Sequence, residues 1–479
     1  MRRVLLTAHK FFPQHRAGTE VLTLKIAQTL QSRGSIVKVV AANPPDLDAR
    51  RKFDTPPPVA EQVSDYEYEG LSVHIVEEAL RLQEYDFTFE YYHPHMKRHF
   101  LGLIDDFKPD VVLIVHAQNL SAAIIEACRE RNIPVLLYAT DFWFVCPIVQ
   151  LTRPDGEVCR GPGPGAVKCL TCYTPKLFAP QEEFNQALTK KYDFIGKTLD
   201  ILPSPLKSLG RDSLYAVYNA SKWPGAAQAT VSRPQVLKDL ANKLDRILVP
   251  TGLMRDIFVE NGIDSKLIEL VHYGIDTSKL NQYQKKSPSQ SLRIGYIGTF
   301  YEHKGVDLLI EAFLSLPDSE RKKASLKLYG DMTQFPQYSE RLKKMVAAAG
   351  LKGADVHFLG TFPNDQLGQI LTDIDVLVVP SRWYENTPLV MQSALATKTP
   401  LIVTDLGGMS ELVKHGENGL LFKLNDWRSL AAQILALLGD PGLLAKLTGN
   451  IKEERTVAEM VDDIESLFEN VLQARKSPA

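Results

Sequence analysis

A strand–loop–helix–strand pattern, written twice along the chain, constrains what this sequence can fold into more than any single motif. Arg3–Ala8 is a short apolar run ending in a loop. Leu22, Ile26 and Leu30 then recur on one helical face until Gly34, and Ile36–Ala41 is strand-like again. Further along, Pro109–Val115 and Pro134–Ala139 read as strands flanking a helical Ala122–Arg131. This is the entry to a doubly wound parallel sheet. The pattern restarts at Leu292. Arg293–Ile297 is a strand, Leu309, Ile310, Phe313 and Leu314 mark an amphipathic helix, and Leu326–Tyr329, Val356–Leu359, Val376–Val379 and Leu401–Val403 follow as strands.

The expected fold class is therefore α/β, with two Rossmann-like doubly wound parallel-sheet domains. A length of 479 residues suits two or three domains. The polar stretch Asn281–Ser291 reads as the linker, which divides the chain into residues 1–285 and 286–456. No strand follows the helical pattern Val457–Leu472, so the segment 457–479 is expected to cross back onto the first domain. Two segments break the pattern. Asn43–Gly70 is Pro-rich and charged, and reads as a surface loop. Cys146–Arg246 is a long insertion within the first domain, Cys-rich and then helical.

Composition enters as an exclusion. With 55 basic and 57 acidic residues the formal charge is −2, which argues against a nucleic-acid partner. No uninterrupted apolar run approaches the about 20 residues that span a bilayer. The opening MRRVLLTAHKFFPQHR reaches Lys10 too soon for a signal peptide. The expected location is the cytoplasm, with peripheral contact at the inner membrane face as an extension of it. Reduced thiols suit that compartment.

Three strand-to-helix loops in the second half gather ligand-binding chemistry. In Gly295-Tyr-Ile-Gly298-Thr299-Phe-Tyr-Glu-His-Lys304-Gly305, glycines permit close backbone approach and Lys304 can neutralise a diphosphate. In Pro380-Ser-Arg-Trp-Tyr-Glu385-Asn386-Thr387-Pro388-Leu389, Thr387 reads as an N-cap and Pro388 as the first helical residue, directly after a carboxylate. Glu385 then either binds sugar hydroxyls or complements the helix dipole. Thr404-Asp-Leu-Gly407-Gly408-Met-Ser-Glu411 is the third loop. All three lie at the C-terminal ends of parallel strands, where open α/β sheets bind ligands.

The string from Gly295 to Leu421, including HKGVDLLIEAF, PSRWYENTPLV, TDLGGMSELV and HGENGLLF, resembles glycosyltransferase family 4 of the GT-B fold. The resemblance implies two domains facing across a cleft and retaining transfer from an NDP-sugar without a catalytic metal. It also implies that Lys304 contacts the diphosphate and Glu385 the donor hexose, with Gly298, Thr299, Asn386, Thr387, Pro388, Leu389, Gly407, Gly408 and Glu411 around them. The chain departs from the family at two places in this half: Thr299 replaces a common Arg, and Ser393 replaces the glutamate that grips the ribose, where its hydroxyl can still bond a donor hydroxyl with shorter reach and no charge. On the first domain, Gly18 matches the family's phosphate-approaching loop, while Ala17 replaces its second glycine. Thr140 stands where many relatives carry a histidine. Asp141 and then His116, both at strand ends facing the cleft, are the expected substitutes near the reacting centre.

Cys146, Cys159, Cys169 and Cys172 are spaced C-x12-C-x9-C-x2-C in a segment rich in Gly and Pro. Turn-rich sequence without core residues needs a staple. Four thiolates in a reducing compartment suit structural zinc, with free thiols, disulfides or an iron–sulfur cluster as the alternatives. Lys190, Lys191, Lys197, Lys207, Arg211 and Lys222 follow. They mark either a helical subdomain with a solvated basic face or a peripheral membrane platform for a lipid-linked acceptor. The leading expectation is a hexosyltransferase acting on a glycan or lipid-linked acceptor in surface polysaccharide synthesis. The alternatives are a GT-B sugar-nucleotide epimerase and a non-catalytic sugar-nucleotide-binding protein.

Overall fold

Each copy of the strand–helix pattern closes into its own sheet. The structure is a computed structural model that describes residues 1–42, 63–76, 86–173, 204–280, 282–283, 285–286, 289–350 and 355–476. The first sheet contains β1 (Arg3–Ala8), β2 (Ile36–Ala42), β3 (Val63–Tyr68), β4 (Leu71–Val76), β5 (Val111–Ile114), β6 (Val135–Tyr138), β7 (Arg246–Val249) and β8 (Ile268–Leu270). Its order is β3-β4-β2-β1-β5-β6-β7-β8. Every neighbouring pair is parallel except β3 with β4. The second sheet contains β9 (Leu292–Ile297), β10 (Ala324–Tyr329), β11 (Val356–Gly360), β12 (Val376–Val379), β13 (Leu401–Thr404) and β14 (Gly419–Phe422). It is parallel throughout, in the order β11-β10-β9-β12-β13-β14.

The strands form because they are apolar on both sides. Val4, Leu5 and Leu6 of β1 are all fully buried, and helices cover both faces. In the first sheet, one face packs Leu5, Val40 and Val112 against Phe100 and Ile124, and the other packs Val4, Leu6 and Val39 against Ile26 and Leu30. The second sheet is likewise buried on both faces. Strand order reverses between β1 and β5 in one sheet and between β9 and β12 in the other. The loops that leave those strands diverge to opposite faces and open a crevice.

The helix Val457–Lys476 comes after the second sheet but packs on the first. Met460, Val461, Ile464 and Phe468 are fully buried among β1 and β2 residues. Arg475 forms paired 2.9 Å bonds to Asp245, and Arg33 binds Glu465 at 2.6 Å. The chain thus crosses between the two sheets twice, the second time beside the isolated bridge Ile275–Thr456.

One expectation needs correction. The stretch Asn43–Gly70 is not a loop throughout: Val63–Tyr68 is an edge strand, paired to β4 through the tight turn at Glu69 and Gly70. In the insertion, the helix Ser204–Ala241 runs 38 residues and accommodates Pro224 and Pro234. Lys190, Lys191 and Lys197, and the side chains of Lys207, Arg211 and Lys222, lie outside the described residues. Among the described residues no single helix is long and apolar enough to cross a membrane.

Because the returning helix supplies core to the first sheet, truncating it should unfold that unit. Phe468→Ala is expected to cost about 3–5 kcal/mol, measured by urea denaturation. A loss within about 0.5 kcal/mol, as for a surface site, would show that the helix only rests on the sheet.

Candidate functional site

Lys304 and Glu385 meet at the second switch point, one from the loop after β9 and the other from the loop after β12. Lys304 Nζ lies 2.6 Å from Glu385 Oε1. Ser381 Oγ and Trp383 Nε1 donate to the same oxygen at 2.7 Å each. The Trp383 ring also faces Lys304, 5.2 Å from the ring centroid. Glu385 is 7% exposed. Burial alone would push its carboxyl up, but Lys304, Ser381 and Trp383 outweigh that and hold it below its ordinary value. The His303 ring lies tilted against Trp383 with centroids 4.7 Å apart, and burial next to Lys304 lowers its pKa to about 4.

The backbone explains why these two loops touch. Gly305 has φ +67°, and a Cβ there would stand 2.0 Å from the Pro380 carbonyl oxygen. Only glycine brings the Lys304 turn against the end of β12. Arg382 locks the contact with two bonds to Asp307 at 2.9 and 2.8 Å and a third to the Glu302 carbonyl. Thr387 is left-handed at φ +68°, a strain of about 1–3 kcal/mol of the kind that gathers at ligand sites.

That strain corrects an expectation. Thr387 is not the N-cap. Pro388 occupies that position without a side-chain cap, and the helix begins at Leu389. Ser393 is also turned away from ligand duty, because its hydroxyl donates to the Leu389 carbonyl one turn back at 3.0 Å. Gly407 and Gly408 serve packing: a Cβ on Gly407 would strike Leu253 and Tyr384, and one on Gly408 would strike the Glu385 carbonyl and Thr251. Glu411 reaches the first domain, accepting the Gly252 and Leu253 N–H groups at 2.8 and 2.6 Å. It caps the helix Gly252–Glu260, so the resemblance-based placing of Glu411 at the donor gives way to an interdomain clasp. Gly298 and Thr299 line the turn after β9, where the Thr299 carbonyl accepts the Tyr296 hydroxyl at 2.8 Å.

Facing these loops is the first switch point. Gly18 opens the helix Gly18–Ser32, exposed and with free space around it. Thr19 Oγ1 is 3.3 Å from Thr140 Oγ1, and Asn386 Nδ2 donates to the Thr140 carbonyl at 3.2 Å. Asn386 Oδ1 is buried without a partner. Asp141 is gripped from two sides, with His116 Nε2 2.6 Å from Oδ2 and the Trp143 N–H 2.8 Å from Oδ1. His116 Nδ1 accepts the Gln118 N–H at 3.0 Å, which assigns the ring proton to Nε2. Both ring nitrogens are therefore committed, and His116 is 3% exposed. His116 positions Asp141 rather than meeting substrate itself.

Behind them lies a pair that sequence reasoning missed. The His9 ring sits 4.4 Å from that of His116, and His9 Nε2 is 3.4 Å from Glu20 Oε1. Neither Glu20 oxygen has a hydrogen bond. Burial, reinforced by His116, Lys10 and His15, drives the His9 imidazole well below its ordinary value, and burial raises the Glu20 carboxyl. Glu20 looks like an ordinary first-turn acid in the sequence, and only the fold shows it buried.

The four cysteines Cys146, Cys159, Cys169 and Cys172 line one small cavity at the start of the insertion, and none is in a disulfide. Among the described residues, however, no group of three or more His, Cys, Asp or Glu side chains is placed to hold a metal ion. The zinc expectation is corrected to that extent: the sulfurs ring a cavity without converging on one point.

Residues 278–454 match the family model for glycosyl transferases group 1. The C-terminal half therefore carries a glycosyl transferases group 1 domain. Among curated proteins, the D-inositol 3-phosphate glycosyltransferase of Nocardia farcinica is 29% identical over 245 residues, covering 49% of this chain and 54% of that protein. The lipopolysaccharide core biosynthesis mannosyltransferase LpsB of Rhizobium meliloti is 27% identical, covering 44% and 61%. The chain thus spans little more than half the length of these relatives. Among solved structures, Anabaena Alr3699/HepE in complex with UDP and glucose superposes with a TM-score of 0.62 at 15% identity, covering 98% of this chain and 100% of that one. Sucrose-phosphate synthase from Thermosynechococcus elongatus superposes with a TM-score of 0.60 at 17% identity, covering 99% and 98%. The fold is GT-B.

The Lys304–Glu385 pair has a sign that can be tested without substrate. A carboxyl titrating below its ordinary value stabilises the fold above the ordinary carboxylate range, and that stability is lost as pH falls through the depressed value. Lys304→Met is expected to cost about 3 kcal/mol near neutral pH, with the gap to the natural protein narrowing in acid. A gap independent of pH in urea denaturation would contradict the pairing.

Proposed function

We propose that the protein is a retaining glycosyltransferase that moves a hexose-type sugar from a nucleoside-diphosphate sugar to a glycan or lipid-linked acceptor, in surface polysaccharide or glycoconjugate synthesis. One observation carries this: a buried Lys304–Glu385 pair at one switch point faces Asp141 at the other across the two-domain cleft. The donor diphosphate takes Lys304 as its counter-charge, and glycosidic bond cleavage increases the negative charge that Lys304 offsets. Glu385 accepts from sugar hydroxyls with the oxygen that Lys304, Ser381 and Trp383 leave open. Asn386 Oδ1 offers a further acceptor beside the open N-terminus at Gly18.

A hydroxyl of the acceptor next to the reacting one donates to Asp141, which His116 and the Trp143 N–H hold in place, and the reacting hydroxyl keeps its proton free for the phosphate. The bond from the sugar C1 to the diphosphate oxygen breaks. The acceptor oxygen bonds C1 from the same face, and its proton passes to the departing phosphate oxygen. Asp141 thus orients the acceptor and need not remove its proton, unlike the paired carboxylates of a glycosidase. The Anabaena structure holding UDP makes uridine nucleotides the first donors to try.

A thermal-shift screen of nucleotide-sugars is expected to single out one donor by the largest rise in Tm. Lys304→Ala should abolish that rise and lower kcat/KM about 10²–10³-fold. Transfer to an acceptor supports the proposal. Isomerised nucleotide-sugar without an acceptor would make the protein an epimerase, and tight binding without turnover would make it a sugar-nucleotide binder.

A further inference from the structure

The proposed transfer uses the C-terminal ends of the strands. A second concavity opens toward the other end of the first sheet, and it is charged where the same face is otherwise apolar. Leu5 of β1 and Val40 of β2 pack with Phe100 of the helix Pro94–Phe107. Two residues earlier on the same strands, and so on the same face, stand Arg3 and Lys38. His74 of β4 pairs with Val40, and Asp65 of β3 pairs with His74. These four side chains and one stripe of the helix line a cavity of about 560 Å³, the size of a small-molecule site.

The groups around it are held in place with binding capacity left over. Arg3 Nε donates to the Phe107 carbonyl at 2.7 Å, and its guanidinium lies 4.5 Å from the centroid of the Phe107 ring. Its two terminal nitrogens have no hydrogen bond among the described residues. Lys38 Nζ stands 3.7 Å from Asp65, which also accepts the His74 Nδ1–H at 2.9 Å. His74 Nε2 then accepts the Nε2–H of His99 at 2.9 Å, and His99 Nδ1 remains as an acceptor. Burial favours the neutral form of both rings and lowers the His99 pKa to about 4. The charge of the cavity therefore comes from Arg3, Lys38 and Arg98 against Asp65 and Asp106, a surplus of one cation. A second observation is independent of charge. Gly102 lies mid-helix, between Arg98 and Asp106 in one i, i+4 row. Glycine weakens a helix interior relative to alanine. Packing does not require it here, because an added Cβ would meet nothing within 4 Å, and its φ is not left-handed. The missing side chain keeps the cavity open between a cation and an acid.

We propose that this cavity binds a polyhydroxylated phosphomonoester, a sugar phosphate in class, at a site separate from the transfer cleft. Arg3, Lys38 and Arg98 take the phosphate, for which two planar guanidinium forks and one point charge are suited. Asp106 and His99 Nδ1 accept from the hydroxyls. The hydroxyls make Asp106 a partner, where a bare phosphate would meet it as a like charge. Arg3 opens β1, whereas His116 and Asp141 follow the opposite ends of β5 and β6. Binding here is therefore independent of which reaction the cleft performs.

The test is isothermal titration calorimetry of the full chain with glucose 6-phosphate, glucose 1-phosphate, inorganic phosphate and glucose. The expected result is saturable binding of a sugar phosphate, tighter than that of inorganic phosphate, and none of glucose. Arg98→Ala should weaken it about 10-fold. Gly102→Phe, which fills the cavity and leaves every charge in place, should abolish it. Both positions are exposed, so both variants should keep the natural Tm; if one does not fold, the other decides. Lys304→Ala should bind the sugar phosphate as the natural chain does, which separates this site from the donor cleft. No saturable binding of either ester, equal affinity for inorganic phosphate, binding unchanged in Gly102→Phe, or binding lost in Lys304→Ala would each overturn the proposal.

Discussion

The contact between Lys304 and Glu385 is the interaction on which the rest of the site depends. Burying a carboxylate costs several kcal/mol unless it is paired and hydrogen-bonded. Here one oxygen receives an ammonium, a hydroxyl and an indole N–H. An ion pair of this kind adds little net stability over a well-packed apolar one, so its value lies in what it presents. In the proposed function this cation and carboxylate meet a ligand that carries both phosphate and hydroxyl groups. Gly305, the Arg382–Asp307 clamp and the strained Thr387 all serve to keep the two loops in this register.

The same loops also hold the domains together. Tyr384 packs edge-on to Phe142 at 6.3 Å, Asn386 bonds the Thr140 carbonyl and Glu411 caps a helix of the first domain. Residues that bind the donor in the proposed function therefore sit in one continuous surface with residues that set the cleft width. In the proposed function, ligand binding and domain position are thereby linked by shared side chains, as in enzymes that close over a donor to exclude water.

Much of this was legible in the sequence, for physical reasons that differ by residue. Strand and helix periodicity placed β1, β9 and β12, and strand ends drew attention to Lys304, Glu385 and Asp141. Failures came where tertiary contacts override local preference. Thr387-Pro388 reads as a good cap and first turn, but Thr387 is left-handed at φ +68° and Pro388 takes the cap position. Ser393 and Glu411 carry suitable groups, yet one bonds its own helix and the other the opposite domain. His9 and Glu20 were missed because burial, not residue type, makes them unusual. The cysteine spacing suggested a zinc site, whereas the four cysteines line one cavity and no described group is placed to hold a metal.

The most direct measurement is a crystal structure with an intact nucleoside-diphosphate sugar, the uridine form first. The diphosphate is expected at the second switch point, with Lys304 Nζ drawn from Glu385 Oε1 to a phosphate oxygen and a sugar hydroxyl on Glu385. A diphosphate bound elsewhere, with the Lys304–Glu385 contact undisturbed, would contradict it.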